Sequence, residues 1–132
     1  MNRWELRFEN FLQAFEELEK AIQISTLGFL ELAGLIKLYE LSFELGWKVL
    51  KDFEEDIEKI QISGSPRSVI FAARDIKIFS ESEAEVWLEA LESRNSLSHT
   101  YNETLAKTGE WKIRNQYYPM LLRFNMQFKA LR

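Results

Sequence analysis

The decapeptide RNSLSHTYNE, residues 94 to 103, brings Arg94, Asn95, His99 and Tyr101 close together in a 132-residue chain that has one histidine and no cysteine. Arginine is a permanent cation whose fork of donors matches phosphate oxygens, and imidazole exchanges a proton near neutral pH. The chemistry these residues suit is therefore phosphate binding with acid–base assistance. Ideal α-geometry places the side chains of Arg94 and His99 about 140° apart around the helix and about 7.5 Å apart along it. If the helix loosens near Ser98, the long arginine side chain and His99 can converge on one phosphate. A plainer reading of Arg94 stays open, a helix-end arginine that reaches solvent or pairs with Glu92 or with an acid of another helix. Tyr101 by itself reads as an amphipathic ring at a bundle rim with its hydroxyl in water.

Other chemistries lack their residues. Without cysteine there are no disulfides, thiolate metal sites or thiol nucleophiles, and one histidine makes no zinc site. There is no glycine-rich phosphate loop, and the acids at 54 to 58 lack the loop spacing of a calcium site. Neither metal nor cofactor is expected. Ser96 and Ser98 flank the histidine without a motif for a hydroxyl nucleophile and read as helix-end polar residues.

The lack of cysteine fits a reducing compartment. The opening MNRWELRFEN alternates charged and apolar residues and does not read as a signal peptide. The most apolar stretch, TLGFLELAGLIKLYELSFELGW, is interrupted by Glu31, Lys37, Glu40 and Glu44, too often for a lipid-spanning helix of ~20 residues. A buried helix of a cytoplasmic protein with no membrane association is expected. The formal net charge is −4, but it divides unevenly. Residues 1 to 93 carry 10 basic against 19 acidic side chains, and residues 94 to 132 carry 7 against 2. RNA, if bound, is thus expected in a groove built from residues such as Arg94, Lys107, Lys112 and Arg114.

The elements that must position these residues are helices. Trp4, Phe8, Phe11, Phe15, Leu18 and Ile22 recur at alternating spacings of four and three, which predicts a first amphipathic helix. A longer second helix is predicted to turn Leu38, Leu41, Leu45, Val49 and Phe53 inward. Lys37, Glu40, Glu44, Lys48, Lys51 and Glu55 form its wet stripe, and the acidic end DFEEDIE reads as solvated. Ser65 and Pro66 predict the cap and first position of a third helix running to about Phe79. Ser82 with Glu85 predicts a capping box for the fourth, and Thr100 with Glu103 a second box just after His99. The fourth helix should therefore end or unwind near residues 97 to 100. In that helix Ala84, Trp87, Leu91, Arg94 and Ser98 share one stripe, so a cation stands where the pattern asks for an apolar residue. Tyr117, Leu121, Phe124, Phe128 and Leu131 mark the last helix, kinked or broken by Pro119 near Tyr118. With 46% hydrophobic residues, 5 Gly and 2 Pro, residues 1 to 132 are expected to form one all-α domain. Its architecture should be an antiparallel up-and-down bundle of four to five helices.

The string Arg94-Asn95-x-x-x-His99-x-Tyr101-Asn102-Glu103 resembles the HEPN domain family, and within it the nucleotidyltransferase substrate-binding proteins of HEPN/MNT toxin–antitoxin pairs. YELSFELGWKVLKDF (Tyr39 to Phe53), SPRSV (Ser65 to Val69), Trp87 and YYP at 117 to 119 carry the same resemblance in the same order. It covers roughly residues 35 to 120. Two stretches depart from the pattern. ARDIKIF lacks the glycine expected after the third helix, and AKTGEWKIRNQ is a less regular start to the last one.

The resemblance implies a HEPN-like homodimer in which two Arg94–His99 pairs face one cleft. It also implies a metal-independent endoribonuclease toxin, silenced when a partner minimal nucleotidyltransferase adenylylates Tyr101. On that view His99 does acid–base work, Arg94 holds the scissile phosphate and Asn95 orients one of them. Metal-free cleavage through a 2′-hydroxyl needs both a general base and a general acid, which a two-fold dimer would supply from two copies of a single histidine. The alternative is a non-catalytic subunit that binds a nucleotide or other substrate for the nucleotidyltransferase, with Arg94 and His99 as a phosphate clamp.

Overall fold

The computed structural model describes residues 1 to 98 and 103 to 132, and of residues 95 to 98 the helical backbone alone. The described residues form α1 (Arg3–Ile22), α2 (Phe29–Asp56), α3 (Pro66–Asp75), α4 (Glu81–Ser98), α5 (Glu103–Lys112), a π-helical segment (Ile113–Tyr117) and α6 (Tyr118–Leu131). No strand occurs among them.

The four long rods run up, down, up and down. Arg3 at the start of α1 bonds Asp56 at the end of α2, and Trp4 packs on Phe128 near the end of α6, so α1 is antiparallel to both. α4 is likewise antiparallel to α6, since Glu83 meets Arg123 and Ser93 meets Tyr117. The expected antiparallel bundle is the fold observed, with α3 as a short strut between α2 and α4. No helix among the described residues is long and apolar enough to cross a membrane.

The core is aromatic. Phe8, Phe11 and Phe15 stack in series along α1, and Phe124 meets Phe8, Phe11, Trp87 and Phe128 from α6 and α4. Gly46 admits Trp87 to this cluster, because a Cβ there would stand 3.3 Å from the indole.

Several local expectations are corrected. In α2 Val49 and Phe53 are buried as expected, but the inward arc also takes in Tyr39, Phe43, Trp47 and Leu50, while Leu41 is 48% exposed and Leu38 and Leu45 are half-buried. A rod touching α1, α4 and α6 buries a broad arc, and the N-terminal half of the expected stripe, Leu38, Leu41 and Leu45, lies at its margin. The acidic end is not simply solvated, because Asp52 and Glu54 are buried. Asp52 accepts a 2.7 Å bond from Arg7 Nε of α1, whereas Glu54, one turn after Leu50, occupies a core position.

α3 stops at Asp75 rather than near Phe79, and Lys77 takes a left-handed backbone (φ 67°). That is the conformation usually given to glycine just past a helix end, so a lysine fills the place of the missing glycine. The capping box of α4 is Ser80 with Glu83, not Ser82 with Glu85. Ser80 Oγ accepts from the Glu83 amide at 3.1 Å, and Glu83 Oε1 accepts from the Ser80 amide at 2.9 Å. Both pairs fit the motif, and the chain turns two residues earlier. The expected Thr100–Glu103 box lies outside the described residues through Thr100.

The break expected at Pro119 takes a specific form. Proline has no amide hydrogen for the carbonyl four residues back, and the turn before it widens so that the Tyr118 amide bonds the Ile113 carbonyl, five residues back.

Candidate functional site

Arg94 stands on α4 at the edge of the core rather than in it. The interior of this helix is lined by Ala84, Trp87 and Ala90, and Arg94 is about a third exposed. Its Nη1 donates to Glu44 Oε1 of α2 at 2.7 Å, and the other oxygen of Glu44 accepts from Trp47 Nε1 at 3.0 Å. The indole fixes the carboxylate and the carboxylate fixes the guanidinium, so Arg94 is oriented by a chain of two bonds. Of the readings left open for this residue, pairing with an acid of another helix is the one observed. Glu92 instead lies 3.9 Å from Arg67.

Around this pair is a ring of polar groups from four elements. Ser93 Oγ is 3.1 Å from the Tyr117 hydroxyl, which also donates to Glu89 Oε1 at 3.4 Å, and Lys112 Nζ lies 3.7 Å from that same oxygen. The ring of Tyr117 stacks on Tyr39, centroids 5.3 Å apart. The π-helical turn supplies Tyr117, and such turns are frequent at functional sites because they re-aim side chains. The Tyr39 hydroxyl is buried and has no hydrogen-bond partner among the described residues. Burial pushes its pKa well above the usual tyrosine value, with Tyr117, Glu40 and Glu89 adding to the rise and Arg94 opposing it. Tyr117 is raised in the same direction, chiefly by burial. Both phenols therefore hold their protons more tightly than a free tyrosine.

The remaining sequence-derived site residues are placed as follows. Asn95 continues α4, while His99 and Tyr101 lie outside the described residues. Lys107 and Lys112 share a groove on α5 with Thr104, Thr108 and Trp111. Arg114 faces away from that groove toward the end of α1, donating to the Ile22 and Ile24 carbonyls at 2.8 and 2.7 Å and to Glu110 at 2.8 Å. All four expected RNA-binding cations have a carboxylate within 4.0 Å: Arg94 with Glu44, Lys107 with Glu103, Lys112 with Glu89 and Arg114 with Glu110. No group of three or more potential metal-ligating side chains occurs among the described residues.

Glu44, Trp47, Glu89, Tyr39 and Tyr117 were not singled out from sequence as site residues. The i, i+3 spacing of Glu44 and Trp47 would have paired them, but nothing local showed that Arg94, fifty positions later, completes the set.

Residues 6–130 match the family described as nucleotidyltransferase substrate binding protein like. The chain belongs to that family. Its helical, HEPN-like character agrees with the bundle observed here. A protein of Thermus thermophilus known from a crystal structure is similar in fold, with a TM-score of 0.80 and 25% sequence identity over 92% of this chain and 98% of that one. No curated protein gives a significant match.

Proposed function

We propose that the chain is the substrate-binding partner of a nucleotidyltransferase, and that Arg94 is the clamp for a phosphate of the bound substrate. The observation that carries this reading is the Arg94–Glu44–Trp47 chain, which holds a partly exposed guanidinium in one orientation at the end of α4. A phosphate offers the same two-oxygen face as a carboxylate and more charge, so it can take over from Glu44. His99 would complete the clamp as a hydrogen-bonding partner, with Asn95 orienting it. Two copies apposed along α4 would place two such clamps in one cleft.

Local charge favours a compact anion over a long one. A polynucleotide groove draws its affinity from cations that release counterions. Here Arg94 and Arg114 meet carboxylates at 2.7 and 2.8 Å, and Arg114 is turned to the Ile22 and Ile24 carbonyls at the end of α1, so the four cations do not line one long groove. The second reading, a metal-independent ribonuclease of a toxin–antitoxin pair, is favoured by the Arg94-x4-His99 spacing itself. In that system the partner's transfer of AMP to Tyr101, with release of pyrophosphate, would set a negative charge against Arg94 and block the cleft.

Calorimetric titration with ATP, in EDTA, tests the clamp. Wild type is expected to bind and Arg94→Ala to bind at least tenfold more weakly, the low end for loss of a charge-assisted bidentate contact. Equal binding by the two proteins overturns the assignment of Arg94.

A further inference from the structure

Of the four tryptophans, Trp4, Trp47 and Trp87 are buried and Trp111 is 58% exposed. Its indole lines an open groove of about 600 Å³ with Lys107 and Lys112, one turn before and one residue after it, and with the hydroxyl-bearing Thr104 and Thr108. An exposed indole flanked by two ammonium groups is the combination that takes a base on the ring face and a phosphate on the cations. The two lysines face Glu103 and Glu89 at 3.7 Å, beyond hydrogen-bond length, and surface pairs of that kind hold their partners weakly. An incoming phosphate can displace them.

A chain of side-chain contacts links the groove to the Arg94 site. Lys112 meets Glu89, Glu89 meets Tyr117, and Tyr117 meets Ser93, the neighbour of Arg94. Glu89 and Arg94 are about 7.5 Å apart along the axis of α4, and both act electrostatically on the Tyr39 hydroxyl that lies between α2 and the π-helical turn.

We infer that Trp111 is the base-stacking subsite of a nucleoside polyphosphate site, with Lys107 and Lys112 beside its ribose-proximal phosphate and Arg94 at the far end of the chain. The inference rests on the phosphate-clamp reading and adds the class of substrate, a nucleotide held by its base as well as by its phosphates. Specificity for one base does not follow, because every base offers a π-face.

Titration of the full chain with ATP and with inorganic tripolyphosphate, both in EDTA, separates the two subsites. Trp111→Ala is expected to weaken ATP binding roughly five- to hundredfold, the range for loss of one stacked base, and to leave tripolyphosphate binding unchanged. Trp111→Phe should recover most of the ATP affinity. Arg94→Ala should weaken both ligands. If Trp111→Ala binds ATP as wild type does while Arg94→Ala does not, the base subsite is wrong and the clamp stands. Failure of wild type to bind either ligand removes the clamp and the subsite together. If Trp111→Ala changes only association with a protein partner, the exposed indole is a protein contact and the inference fails.

Discussion

Arg94 and Glu44, fifty residues apart in sequence, meet at 2.7 Å across the α4–α2 interface, and Trp47 holds the second oxygen of the same carboxylate. The pair thus poises a cation and at the same time competes with any anion that approaches it.

Glu44→Gln removes the competitor and leaves a side chain of nearly the same shape. ATP should then bind about three- to tenfold more tightly, with thermal stability changed by no more than ~1 kcal/mol, as befits a pair that is one-third exposed. Titration calorimetry and a melting curve check both. Weaker ATP binding would mean that Glu44 orients the guanidinium more than it competes with the ligand.

Glu54 should make stability depend on pH. It is fully buried, neither carboxyl oxygen has a hydrogen-bond partner among the described residues, and burial, aided by Glu55, raises its pKa to about 8. A carboxyl that holds its proton more tightly when folded stabilises below the unfolded value near 4.5 and loses that contribution as pH rises through 8. At pH 7 the loss is roughly 3 kcal/mol, at 1.36 kcal/mol per unit. Glu54→Met should be more stable than wild type at pH 8 and nearly equal at pH 4.5. Parallel denaturation profiles of the two proteins across that range would show that Glu54 is not protonated in the fold.

Lys77 offers a simpler stabilisation. A left-handed backbone costs a residue with a Cβ about 1 kcal/mol, and glycine avoids that cost. Lys77→Gly should raise the melting temperature by roughly 4 °C for a chain of this size, whereas Lys77→Ala should not. A lower melting temperature for Lys77→Gly would show that the lysine side chain contributes more than its backbone conformation costs.

These residues show which parts of the molecule were legible in the sequence. The Phe and Trp repeats marked α1 and α6 because each presents one apolar face, and Ser65–Pro66 marked the start of α3 because capping chemistry is local. The α2 stripe was right for Val49 and Phe53 and wrong for Leu38, Leu41 and Leu45, because that rod is buried over a broad arc, where periodicity no longer separates inside from outside. The buried Asp52 and Glu54 were hidden among neighbouring acids, since what sets them apart is Arg7 on another helix and the position of Leu50 one turn earlier. For the site, Arg94 was conspicuous as a cation in an apolar stripe, but Glu44, Trp47 and Tyr117 are joined to it only by tertiary packing. Trp111 was lost in an irregular stretch that carries no periodic signal.

Tyr101 is expected to be the acceptor if the partner nucleotidyltransferase modifies this chain. Incubation with that enzyme, ATP and magnesium should add one or more AMP units to wild type by mass spectrometry and none to Tyr101→Phe. Modification of Tyr101→Phe to the same extent would move the acceptor elsewhere.

Whether the chain presents a nucleotide or cuts RNA is decided by incubating purified protein with end-labelled RNA in EDTA, with wild type and His99→Ala in parallel. A substrate-binding subunit leaves the RNA intact with both proteins under conditions where wild type binds ATP. Cleavage by wild type that disappears in His99→Ala would contradict this account and establish the ribonuclease.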